Sequence, residues 1–85
     1  MPGISRFYGI IITMFYDDHN PPHFHVRYGE YHATIGIENG LFNGSLPRRV
    51  LRMVYEWLDF HKEDLLHNWE LCKSENEPLY ISPLD

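Results

Sequence analysis

The chain has a single cysteine, Cys72, so no internal disulfide can form. Its place on a helical apolar stripe marks a packed thiol rather than a nucleophile. Long hydrophobic runs are also missing: the longest, around Ile10-Ile11-Ile12, falls far short of the roughly 20 residues that cross a bilayer. The N-terminus has neither the basic nor the apolar region of a signal peptide. These absences predict a cytoplasmic protein with no membrane association. Positive charge is scarce, with seven Lys and Arg against twelve Asp and Glu and a formal net charge of −5. The deficit is uneven. Residues 1–52 hold five basic and four acidic residues, a balance of +1, whereas residues 53–85 hold two and eight, a balance of −6. Four of the six histidines also lie in the first half, so an acidic chain leaves room there for a local anion-binding surface.

What is present is globular. Eighty-five residues, 44% hydrophobic and 15% aromatic, suffice for one core and one domain spanning residues 1–85. The most informative stretch is Asp17-Asp18-His19-Asn20-Pro21-Pro22-His23-Phe24-His25-Val26-Arg27-Tyr28, which sets three histidines within seven positions behind two acids. Its prolines fix φ and bias Asn20 to extended geometry, so the loop presents side chains in a set direction. Phe24, Val26 and Tyr28 then alternate with His23, His25 and Arg27 at the period of a half-buried strand. Gly29-Glu30 suits a type II′ turn, which sets Tyr28 opposite Tyr31, Arg27 opposite His32, Val26 opposite Ala33 and His25 opposite Thr34. One face of the hairpin then holds Phe24, Val26, Tyr28, Tyr31, Ala33, Ile35 and Ile37. The other holds His23, His25, Arg27, His32, Thr34 and Glu38.

Residues Arg6 to Tyr16 read as one long strand with Tyr8, Ile10, Ile12, Met14 and Tyr16 on one side and Phe7, Ile11 and Phe15 on the other. A central strand is the plainer explanation of two apolar faces; a partner or homodimer interface through Ile11 and Phe15 is the alternative. Asn39-Gly40 predicts a type I′ turn into a fourth strand over residues 41–44, with Ile37 facing Phe42. Pro47 fits the first turn of a helix capped near Ser45 or Leu46. Helical spacing of Val50, Met53, Val54, Trp57, Leu58, His61, Leu65, Trp69 and Cys72 continues to Lys73, with a bend near Phe60-His61-Lys62. Leu79-Tyr80-Ile81 reads as an extended tail packed on the domain. The expected fold is α+β, a three- to four-stranded antiparallel meander followed by one long or kinked helical segment on one face.

Three chemistries compete for the histidine face. His23, His25, Arg27 and His32 supply a general base, a general acid and a guanidinium for RNA cleavage through the 2′-hydroxyl, with no metal. Alternatively His19, His23 and His25 bind zinc, since histidines two apart on a strand project the same way about 7 Å apart, and Asp17 or Asp18 can complete a mixed shell. Solvated histidines, or histidines hydrogen-bonded to the Asp17-Asp18 loop, need no function at all. Arg48, Arg49 and Arg52 open the helix, where each cation opposes the macrodipole by roughly 0.3–1 kcal/mol. A phosphate backbone or an acidic partner accounts for them; arginine stems covering the sheet rim, or a pair with Glu56, is the structural explanation.

The stretches Ile4-Ser5-Arg6-Phe7-Tyr8-Gly9-Ile10-Ile11-Ile12, Asp18-His19-Asn20-Pro21-Pro22-His23-Phe24-His25-Val26, Leu46-Pro47-Arg48-Arg49 and Asn68-Trp69-Glu70 resemble a small bacterial family catalogued as domain of unknown function 4160. The resemblance covers nearly the whole chain and implies no established activity. Members are often encoded beside a protein of the family catalogued as domain of unknown function 2442, an arrangement similar to toxin-antitoxin pairs. The resemblance thus implies an RNA-directed or partner-bound role, and it assigns no catalytic residues.

Overall fold

A computed structural model describes residues 3–85. Five strands, β1 (Gly3–Phe7), β2 (Ile10–Thr13), β3 (His23–Tyr28), β4 (Tyr31–Gly36) and β5 (Phe42–Ser45), precede one helix, α1 (Arg48–Lys73). All neighbouring strands are antiparallel and lie in the sheet in chain order. The architecture is the expected α+β arrangement, with five strands rather than three or four.

The additional strand comes from residues read as a single long one. Tyr8 and Gly9 turn the chain back with φ of 50° and 79°, the left-handed pair that a two-residue hairpin turn requires. Phe7 therefore pairs with Ile10 and shares its face, whereas an unbroken strand would have set them on opposite sides. A register shift beside Ile4 turns both Ile4 and Ser5 inward, as a β-bulge does.

The hairpin of β3 and β4 has the expected register throughout, from Tyr28↔Tyr31 to His25↔Thr34. Gly29 takes φ 56° at the first central position of the turn, where a residue with a Cβ would be strained. Tyr31 shares the core-facing parity, yet at the hairpin tip it remains exposed and stacks on Tyr28. Asn39-Gly40 does not make the tight turn. The connection is longer: Gly36 N–H donates to the Leu41 carbonyl, Gly40 N–H donates to the Gly36 carbonyl, and the Asn39 side chain accepts from Leu41 N–H. Phe42 consequently pairs with Ile35 instead of Ile37. A slip of two residues preserves the face, so Phe42 and Leu46 still pack against the core.

That core lies between one sheet face and α1. Phe24, Val26, Ile10, Ile12 and Ile35 meet Val50, Val54, Trp57, Leu65 and Trp69. Burial of each such side chain contributes about 1.5–3 kcal/mol. Trp57 is the centre, with Phe24 edge-on at 5.8 Å and Phe7 tilted at 5.5 Å. Pro47 is itself the residue before the helix, its ψ of 147° still extended, so the cap lies one or two positions later than expected. The bend falls where the apolar spacing placed it, at His61 with φ −126° and ψ 23°.

The tail closes the sheet edge. Ile81 N–H donates to the Ile4 carbonyl at 2.7 Å, and Trp57 Nε1–H donates to the Ser82 carbonyl at 2.9 Å. Asn68, a buried polar residue on α1, both donates to and accepts from the Leu79 backbone at 2.8 Å. No helix among the described residues is long and apolar enough to cross a membrane.

Candidate functional site: a carboxylate among histidines on the open sheet face

The sheet face away from α1 is set by strand parity. Ile11 pairs with Arg27 and Thr13 with His25 across β2 and β3, while Arg27 pairs with His32 and His25 with Thr34 across β3 and β4. Asn43 and Ser45 follow opposite Thr34 and His32. All four residues expected to supply catalysis, His23, His25, Arg27 and His32, therefore project from the same side of the sheet.

Asp18 organises them. The preceding residue, Asp17, takes a left-handed φ of 53° and its N–H donates to the Cys72 carbonyl at the end of α1, which swings the loop so that Asp18 points inward over β3. Asp18 Oδ2 then lies 3.0 Å from His23 Nε2 and 3.2 Å from His25 Nε2, with all three side chains largely buried. Its other oxygen accepts from His19 N–H at 2.9 Å and meets His19 Nδ1 at 3.1 Å. The His19 side chain is 86% exposed. The alternative metal set of His19, His23 and His25 is thus not what the loop assembles, since the convergent group is Asp18, His23 and His25.

The remaining ring nitrogens are also engaged. His23 Nδ1 lies 2.8 Å from the Pro21 carbonyl, an acceptor only, so this nitrogen carries the proton. His25 Nδ1 lies 3.4 Å from His32 Nε2. A line of polar groups consequently runs from Asp18 through His25 to His32, which is exposed. Phe15 stacks on His25 at 3.9 Å, and the His23 ring lies 5.3 Å from Trp69 of α1. The sequence marked Phe15 only as part of an apolar strand face or interface; in the structure its stacking fixes the His25 ring plane. Two hollows flank His25, one between Phe15, His19, Thr34, Asn39 and Asn43, the other between Ile11, Arg27 and His32.

Burial is the largest influence on His25 and lowers its pKa from 6.5, outweighing the neighbouring carboxylate. At Asp18 burial acts in the raising direction, but the hydrogen bond from His25, that from His19 N–H and the charges of His23 and His25 together hold the carboxyl below 3.8. Neutral His25 can therefore donate Nε2–H to ionised Asp18. Both groups bind protons more weakly folded than unfolded, so acid destabilises the fold. The His25 contribution is complete above about pH 6.5 and is lost as pH falls through that value toward its lower folded one. The Asp18 contribution persists until more acid conditions. Melting temperature is expected to fall between about pH 7 and pH 5, with a shallower slope in His25→Ala. A wild-type melt flat across this window would contradict the assignment.

Arg48, Arg49 and Arg52 are exposed in the first turns of α1, which contain no acidic residue in the first turn. Among the described residues none of the three forms a salt bridge, including with Glu56. Substituting all three by glutamine should leave the melting temperature unchanged or slightly higher, because repulsion from the helix dipole is relieved. A large loss of stability would show that their stems are structural. Cys72 is buried, and burial pushes its thiol pKa up, as befits a packed residue.

Sheet, helix and cluster together define a small α+β protein with a carboxylate–histidine site on its uncovered face. The chain belongs to the family described as Domain of unknown function (DUF4160), whose model matches residues 9–70. Searches of the curated proteins and of the solved structures gave no match.

Proposed function

We propose that this chain is a small cytoplasmic protein that binds and cleaves RNA through its histidine face, as the toxin-like component of a two-gene module. The supporting observation is the line from Asp18 through His25 to exposed His32, with Arg27 directly across from His32. With His25 Nε2–H donated to Asp18, His25 Nδ1 accepts from His32 Nε2–H, and the remaining lone pair of His32, on Nδ1, is available as a base. His32 removes the 2′-hydroxyl proton, the freed oxygen attacks phosphorus, the P–O5′ bond breaks, and the leaving oxygen takes a proton from water. The Arg27 guanidinium stabilises charge on the phosphorane. His23 flanks Asp18 on the other side, 3.0 Å away.

The reading is tested by incubating purified protein with RNA and analysing the ends for 2′,3′-cyclic phosphate. His32→Ala should cut the rate by about 100-fold or more. Intact RNA with wild-type protein, and no growth inhibition on expression alone, would remove the enzymatic reading.

A non-enzymatic interaction module is the second reading, favoured by the arginines at the start of α1, which form no salt bridge among the described residues. Their partner would be an acidic protein, with the domain of unknown function 2442 type as the candidate. The triple glutamine variant described above then loses that partner and keeps its fold.

A further inference from the structure

We infer that Asp18, His23 and His25 form a binding site for one divalent transition-metal ion of the zinc class, with Asp18 Oδ2, His23 Nε2 and His25 Nε2 as ligands. The three side chains come from two separate segments, the loop before β3 and β3 itself, and their ligand atoms all lie within 4.8 Å of one another. A tetrahedral ion with bonds of about 2.0–2.1 Å sets its ligand atoms roughly 3.3 Å apart. The 3.0 and 3.2 Å separations from Asp18 Oδ2 are close to that edge.

The position of His23 is the second observation. Its Nδ1–H is committed to the Pro21 carbonyl, so in a neutral ring the Nε2 lone pair faces a carboxylate oxygen at 3.0 Å. Two electron-rich atoms at that distance repel unless a cation, a proton or a metal ion, lies between them. A ring whose Nδ1–H is held by a backbone carbonyl while Nε2 is free is the arrangement that outer-shell contacts give to metal-binding histidines. His25 meets the same requirement: with Nε2 on the ion its proton moves to Nδ1, which donates to His32 Nε2 at 3.4 Å. His32 is then a positioning residue for the metal.

The donor set fits zinc chemistry, two imidazoles and a carboxylate with no thiolate, and three protein ligands leave a fourth position open. The hollow lined by Phe15, Thr34, Asn39 and Asn43 adjoins the cluster, giving that position access to a water or a substrate oxygen. The inference does not depend on the RNA reading: with the ion bound, neutral His32 carries its proton on Nδ1 and is no base, so cleavage by His32 would belong to the metal-free chain.

The test uses the full chain, stripped with a chelator, whose far-UV circular dichroism should stay native because the core needs no metal bond. Zinc is titrated by calorimetry and cobalt by visible absorption, with one equivalent and the bands of a four-coordinate site expected. Asp18→Ala, His23→Gln and His25→Gln should each weaken binding by more than about 100-fold, and His32→Ala by about 10- to 100-fold. His19→Ala should leave binding unchanged. Wild-type protein that takes up neither metal, or a His23→Gln variant that binds like wild type, overturns the site, as does loss in His19→Ala equal to that in Asp18→Ala. Should a ligand variant fail to fold, zinc titration of the wild type by NMR replaces it: Nε2 resonances of His23 and His25 must move together, and static resonances overturn the site. A chain that binds zinc and leaves RNA intact would refute the proposed function and keep the metal site. RNA cleavage with no metal uptake would do the reverse.

Discussion

Replacing Phe24 by alanine is expected to destabilise the fold by about 3–5 kcal/mol. Its ring is fully buried, edge-on to Trp57 at the centre of the core, and neither the sheet nor α1 can collapse far into the space it leaves. Substituting the next residue, His25→Ala, removes a side chain from the opposite face. The fold should persist, because the His25 ring touches Phe15, Asp18 and His32 rather than the core. The pair therefore tests the register of β3 with two adjacent substitutions, read by chemical denaturation. A slip of one residue would exchange the outcomes.

Asn68→Ala is expected to destabilise by a smaller amount through another mechanism. The side-chain amide satisfies both the N–H and the C=O of Leu79, and each such hydrogen bond contributes about 0.5–1.5 kcal/mol. The loss should be local first. Amide exchange at Ile81, whose N–H is bonded to the Ile4 carbonyl, is expected to accelerate more than exchange in β3 and β4. Equal acceleration throughout would show that the tail does not open separately from the sheet.

Asn68 illustrates what local patterning does not reveal. Its neighbours announce themselves by apolar spacing, but a buried amide is explained only by a partner, and that partner is backbone eleven residues further along the chain. The β3–β4 hairpin was legible because its turn glycine and its alternation specify the same register. The bend at His61 was legible from the length of the helical stripe. The Tyr8-Gly9 turn was hidden since apolar residues flank it on both sides, and a tyrosine at φ 50° leaves no compositional mark. Asn39-Gly40 misled in register because Asn39 uses its side chain to hold Leu41 N–H instead of forming a two-residue turn. At the site, alternation was enough to gather His23, His25, Arg27 and His32. It could not choose Asp18 over His19, because that choice depends on the path of the loop, and the path is tied to the far end of α1 through Cys72.

The strands stand in the sheet in the order in which they occur in the chain. Every strand therefore pairs with its neighbour in the chain, and such local closures are the least costly available to a sheet. The places of the histidines on β3 and β4 are set by strand pairing alone. That of Asp18 is not, because the hydrogen bond from Asp17 to Cys72 and the packing of His23 against Trp69 need the C-terminal half of the helix. The carboxylate is thus fixed only once the far end of the helix is docked, and the completed site reports on that docking.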